Sequence, residues 1–181
     1  GGAHEKEDLK FSKLFKLKEN KNINKKKLKT RSINHTNSIL LTAIRETAEE
    51  TGLYLVKKRK VNYKKMTPLN SWKVFQEKSY VPTVEKLFFF GRAITPSSLK
   101  IRFHARFFIA FYDDFIGTIK TNGELENLKW FSLQEAKEKN IADVTEFMLN
   151  EIIKLDNNYL SLSRKKIFPM FTWKNKKRWI K

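Results

Sequence analysis

The stretch from Ser38 to Gly52, SILLTAIRETAEETG, constrains this chain more than any other. Ile39, Leu40, Leu41, Ile44 and Ala48 recur at helical spacing, and Gly52 is a suitable residue for the stop, so a helix is expected from Ser38 to the glycine. At 100° per residue Glu46, Glu49 and Glu50 share a narrow sector, while Leu41, Ile44 and Ala48 lie opposite. Like charges at this spacing cost a helix about 0.2 to 0.5 kcal/mol per pair. Arg45, one turn before Glu49, offsets only part of that, and a bound cation would offset more. Mg²⁺ is a hard ion that takes a few carboxylates and keeps room for water and phosphate oxygens. The plainer account of the same acids is a solvated helix face.

That acidic stripe stands out because the 181-residue chain carries 38 Lys and Arg against 19 Asp and Glu, a net charge of +19. Lysines cluster in KNINKKKLKT (21 to 30), VKKRK (56 to 60) and KNKKRWIK (174 to 181). Basic clusters hold nucleic acid or anionic membranes in many proteins. Here Asn and Ile are interspersed, which favours a solvated, compositionally biased surface, with a nucleic-acid-binding module as the less favoured reading. A hydrophobic fraction of 40% and an aromatic fraction of 13% exclude a disordered chain and indicate one globular domain with a core. Without cysteine there is neither a disulfide framework nor a thiolate nucleophile. No apolar run approaches the roughly 18 residues of a membrane span, so the expectation is a soluble, cytoplasmic protein.

Around the helix, residues 9 to 36 are Lys- and Asn-rich, with Phe11, Leu14, Phe15 and Leu17 scattered among them. An exposed excursion with at most a short helix is expected there. TPLNSWKVFQEKSY, with Pro68 near a helix start, places Leu69, Trp72 and Phe75 on one face of a second helix. KLFFFGRAIT (86 to 95) and IRFHARFFIAFY (101 to 112) read as two aromatic strands, and LKWFSL (128 to 133) as a third. Ser132 with Glu135, and Asp143 with Glu146, are spaced as capping boxes. The helix after the second box turns Val144, Phe147, Met148, Ile152 and Leu155 toward a core.

Arg45, Glu46, Glu49, Glu50, Gly52 and Leu53 match the second half of the Nudix hydrolase signature, G-x5-E-x7-R-E-U-x-E-E-x-G-U, with Thr47 at the first aliphatic position. The segment therefore resembles that family. At the usual spacing the first half is missing, since Arg31 and Asn37 stand where Gly and Glu belong. The chain opens GGAHEKED, however, in which Gly2 and Asp8 imitate G-x5-E, and Glu5 sits where many such boxes carry an additional acid. Residues 9 to 44 would then replace the short spacer, as in family members whose box is split by a long insertion. A coincidental glycine pair or an expression remnant is the alternative origin of that opening. NGELENLKWFSLQEA (122 to 136) and the FFFGRAITP and RFHARFFIA strands are also similar to Nudix segments.

The resemblance implies an α+β fold, a Nudix-like α/β/α sandwich with a mixed sheet. Family domains carry strands before the glycine pair, so it also implies a chain shortened at its N-terminus. The expected organisation is a partial box and basic insertion over 1 to 37, the Nudix-like domain over 38 to 160 and a basic aromatic tail over 161 to 181. The implied activity is divalent-metal-dependent cleavage of a nucleoside diphosphate derivative, coenzyme A-like or a nucleotide sugar. Glu46, Glu49 and Glu50 would hold Mg²⁺ or Mn²⁺, Arg45 would orient a helix glutamate, and Glu49 would be catalytic. Glu124 is the first candidate for the general base and Glu126 the second. Arg92, Arg102 and Arg106 could meet phosphates, with Arg102, His104 and Arg106 on one strand face at period two. His104, far in sequence from His4 and His35, makes no zinc set. The expected partner is a nucleotide-type small molecule rather than a membrane or nucleic acid, with a homodimer left open. An inactive Nudix-fold remnant is the alternative to an active enzyme.

Overall fold

The computed structural model describes residues 5–14, 17, 23, 25–59, 68–96, 98–120, 125, 127–155, 159–174 and 177–180. Helices and short strands alternate along the chain in an α+β arrangement that divides into two compact units: Gly1–Leu87 with Ala110–Lys129, and Phe88–Ile109 with Trp130–Lys181. Among the described residues no helix is long and apolar enough to cross a membrane.

The first unit is built on helices α1 (Lys6–Leu14), α2 (Lys25–Leu28) and α3 (Ile33–Thr51). The long helix starts at Ile33 and not near Ser38, because Ser32 caps it by accepting from the His35 amide at 3.1 Å. Its first turns are rich in hydroxyls. Thr36 is buried and returns its hydroxyl to the Ser32 carbonyl, so polar residues occupy core-facing positions and conceal the period. At the other end Gly52 adopts φ +73, and a Cβ there would lie 2.7 Å from the Thr118 carbonyl oxygen, so only glycine fits. The chain continues into β1 (Leu53–Tyr54), paired with β6 (Ile116–Gly117), and β2 (Val56–Lys58), paired with β3 (Tyr80–Pro82).

The expected exposed excursion is corrected at both of its helices. Phe11 and Leu28 have no exposed surface, and Phe11 stacks on Trp72 with ring centroids 3.9 Å apart. A lysine-rich segment packs because each helix buries one large apolar side chain, Phe11 beside Asp8 and Ser12 on α1 and Leu28 on α2, while most of its described lysines reach solvent. Leu69, Trp72 and Phe75 are buried together as expected, on a 3₁₀ turn (Asn70–Trp72) followed by α4 (Lys73–Glu77). With Leu40, Leu41, Ile44, Leu55 and Val84 they form the core of this unit.

In the second unit the two aromatic runs pair antiparallel as β4 (Phe88–Ile94) and β5 (His104–Ile109), with an irregularity between Phe89 and Gly91. β7 (Met170–Lys174) lies parallel to β4, and β8 (Lys177–Ile180) antiparallel to β7, giving a mixed sheet of order β5-β4-β7-β8. The segment read as a tail thus supplies two strands. Gly91 allows the close approach, since a Cβ would lie 2.9 Å from the Pro169 carbonyl oxygen. Residues 128 to 132 form no strand: Trp130 and Phe131 are exposed, and Ser132 commits the chain to α5 (Leu133–Lys137) through the expected capping box with Glu135. The second expected box does not form. Ala142 is the residue before α6 (Asp143–Ile153) and makes no side-chain cap, while Asp143 falls inside the first turn, where its charge suits the helix dipole. Phe147 and Met148 are buried, Val144 and Ile152 only partly, and Leu155 lies beyond the helix end. Phe147 meets Phe171 of β7 at 5.4 Å. Helix α7 (Tyr159–Arg164) precedes that strand.

Candidate active site

The centre of the acidic helix face is a buried arginine. Arg45, 2% exposed, sends Nη1 to Glu46 Oε1 and to Glu49 Oε2, each at 2.7 Å, with Glu5 Oε1 at 3.9 Å. One nitrogen therefore draws two carboxylates of α3 to a common point. Glu46 and Glu49 keep 16% and 42% of their side-chain surface exposed, so the cluster opens on one side. Glu50 follows on the same helix, partly buried.

Behind the arginine stands Asp8, from α1, with no exposed surface. Its Oδ1 accepts from Arg45 Nε at 2.9 Å and from Trp72 Nε1 at 3.1 Å. Its Oδ2 accepts from Thr42 Oγ1 and the Glu5 amide, both at 2.9 Å, and from Arg45 Nη2 at 3.3 Å. A buried carboxylate with five donor contacts, two of them from a guanidinium, is fully compensated. Glu5 also accepts from the Ser71 hydroxyl, and Glu7 from the Ser71 amide. The structure thus brings Glu5, Asp8, Arg45, Glu46 and Glu49 into one network. Gly2, Glu124 and Glu126 lie outside the described residues.

The electrostatics follow from these contacts. Burial opposes the charge on Arg45, but the hydrogen bond and charge of Asp8, with Glu49 and Glu46 adding, raise its pKa further above its ordinary value. Burial lifts the Glu49 carboxyl above its usual range; Arg45 opposes the rise, and the neighbouring Glu46 and Glu5 add to it. A carboxylate raised by burial beside other acids is one that a nearby divalent cation would stabilise in its charged form.

Among the described residues no group of three His, Cys, Asp or Glu side chains is arranged to hold a metal ion. The donor chemistry nevertheless fits Mg²⁺ or Mn²⁺. Glu46 and Glu49 offer two converging carboxylates on a partly open face, and such ions are commonly held by one or two carboxylates, with water and phosphate oxygens as the remaining ligands.

The basic residues belong to the second unit. Arg92 of β4 and Arg106 of β5 are direct cross-strand partners, and Arg106 Nη1 donates to the His104 carbonyl at 2.7 Å. Arg102 is exposed and precedes β5, so the expected three-residue face shrinks to His104 and Arg106, with Arg92 brought beside them by the register. The strand starts late because backbone pairing, not side-chain alternation, decides its first residue. The His104 imidazole is held down to about 4 by burial and by Arg106 and Arg92, and Arg106 is lowered by burial and Arg92.

Sequence reasoning missed Trp72 and Thr42, which complete the Asp8 network. Their only local signal was a tryptophan on an apolar helix face, indistinguishable from ordinary core. No characterised protein and no solved structure matches this chain. Residues 33–150 match the family model of the NUDIX domain, well over half of the sequence. That span contains the arginine and the helix carboxylates just described, and the chain belongs to the Nudix hydrolase family.

Proposed function

We propose that this protein hydrolyses a diphosphate bond in a nucleoside diphosphate derivative, coenzyme A-like or a nucleotide sugar, with Mg²⁺ or Mn²⁺. The observation that carries the reading is the convergence of Glu46 and Glu49 on Arg45 Nη1, at 2.7 Å each, within a matched Nudix segment. The family acts on pyrophosphate bonds of small molecules and generally uses divalent metals. Glu46 and Glu49 would hold the ion, with Glu50, the next acid of α3, proposed as a further ligand; the ion would supply charge neutralisation for the diphosphate and lower the pKa of a bound water.

The chain's own residues perform the rest. Arg45 fixes the carboxylate oxygens of Glu46 and Glu49, so that they need not reorganise as charge develops. An acid that precedes Trp130 in the sequence, Glu124 first and Glu126 second, is the proposed acceptor of the attacking water's proton. Water adds to one phosphorus, the bridging P–O bond breaks, and two phosphate monoesters leave. Arg92, Arg102 and Arg106 are the proposed phosphate contacts, supported by the Arg92–Arg106 register. A cytoplasmic location is part of the same proposal.

The test is a panel of nucleoside diphosphate derivatives, incubated with Mg²⁺ or Mn²⁺ and a phosphatase that releases phosphate from the product monoesters. The wild-type chain is expected to turn over at least one compound, and Glu49→Gln none above background. Equal rates from the two proteins would leave a Nudix-fold protein without catalysis.

A further inference from the structure

We propose that Trp72 is a positioning residue for the α3 carboxylates, acting through Asp8 and Arg45; the inference rests on reading that cluster as the site of hydrolysis. Trp72 lies outside the helix that bears the acids and has no exposed surface. A buried indole N–H requires an acceptor. Here the acceptor is Asp8 Oδ1, at 3.1 Å, the same oxygen that receives Arg45 Nε at 2.9 Å.

The remaining Asp8 bonds make this contact directional. Thr42 Oγ1 and the Glu5 amide occupy Oδ2, so the carboxylate is held from both ends and cannot turn without breaking a bond. Phe11, stacked on the indole at 3.9 Å with planes 10° apart, fixes the donor's plane. Arg45 is thereby anchored through Nε and Nη2, which leaves Nη1 directed at Glu46 and Glu49. Without the indole bond Oδ1 keeps Arg45 Nε but loses the second donor that fixes its direction, so the Asp8–Arg45 fork can tilt and the two carboxylates shift from their common point. A neutral donor suits this role: it orients Asp8 without competing with Arg45 for its charge. A lysine or arginine at this place would neutralise Asp8 and weaken its hold on Arg45.

Trp72→Phe keeps a buried aromatic ring and removes the N–H together with part of the indole's volume, so a packing control accompanies it. In ¹H–¹⁵N spectra the assigned Arg45 Nε–H resonance is expected to move in this variant, and the Trp72 indole resonance to move in Asp8→Asn. An Arg45 resonance unchanged by Trp72→Phe overturns the proposal whether or not the chain is active. In turnover, Trp72→Phe is expected to lower kcat about tenfold with KM unchanged, the signature of a lost transition-state arrangement. Phe75→Leu disturbs the same core, since Phe75 packs against Trp72 at 4.7 Å, but leaves the indole bond. It is expected to lower stability with kcat within about twofold of wild type. Equal kcat losses in the two variants would make Trp72 mere packing and overturn the proposal. Failure of the hydrolase reading shows separately, as wild type no faster than Glu49→Gln.

Discussion

Two arginine environments in this protein differ in how their charge is met. In the first unit Arg45 is buried against Asp8, Glu46 and Glu49, and every one of these contacts strengthens its charge. In the second, Arg92 and Arg106 face each other across β4 and β5; burial and the Arg92 charge lower Arg106, and burial with both arginines lowers His104. Burial alone therefore does not make an arginine structural. Arg45 is an internal tie because acids from two distant segments surround it. The Arg92–Arg106 register instead sets two positive charges side by side, which is the basis for proposing them as phosphate contacts.

Removing the acid that compensates Arg45 is the most disruptive way to break this contrast. Asp8→Asn leaves a buried guanidinium uncompensated on one side and is expected to cost about 3 to 5 kcal/mol of unfolding free energy, read by urea denaturation. A loss under about 1 kcal/mol would mean that water reaches Arg45. Glu49→Gln comes next: a drop in kcat of about a hundredfold or more is expected with the fold intact, and a smaller drop would remove Glu49 from the chemistry. Arg92→Met should act with the opposite sign on stability. Relieving a like-charge cross-strand pair is expected to raise the unfolding free energy by about 0.2 to 1 kcal/mol without substrate, while KM rises. A destabilised variant would show that Arg92 is compensated as Arg45 is.

His104 carries the contrast into pH. Its folded pKa, about 4, lies below the ordinary 6.5, so between these values the unfolded chain binds more protons. The stability it contributes is present above pH 6.5 and is lost as the pH falls toward 4. Thermal melts should therefore decline over that window more steeply in wild type than in His104→Gln. Parallel declines would mean that the imidazole titrates normally.

Much of the local structure was legible in the chain. Ile44 and Ala48 marked the core face of α3, Gly52 its end, and Ser132 with Glu135 the start of α5. The Phe-rich runs became the paired strands β4 and β5. These features depend on neighbours within a few residues. Phe11 was misjudged because a lysine-rich surrounding says nothing about the tryptophan it stacks on. Met170–Lys174 was missed because its strand exists through pairing with β4, distant in sequence, and with β8. LKWFSL was read as a strand because its aromatic residues suit a ladder, but no ladder forms there.

The same division applies to the candidate site. Glu46, Glu49, Glu50 and Arg45 were readable because one helix sets their spacing, and the helical period is a property of the backbone alone. The family follows from that segment. Which distant groups complete it was decided by tertiary structure. Asp8 reaches Arg45 across the whole of α2 and the basic segment, and Trp72 reaches Asp8 from beyond α3. Such contacts exist only where packing of α1 and the 3₁₀ turn against α3 has excluded water. There an unmet charge or N–H is costly, and partners far apart in sequence must supply the missing bond.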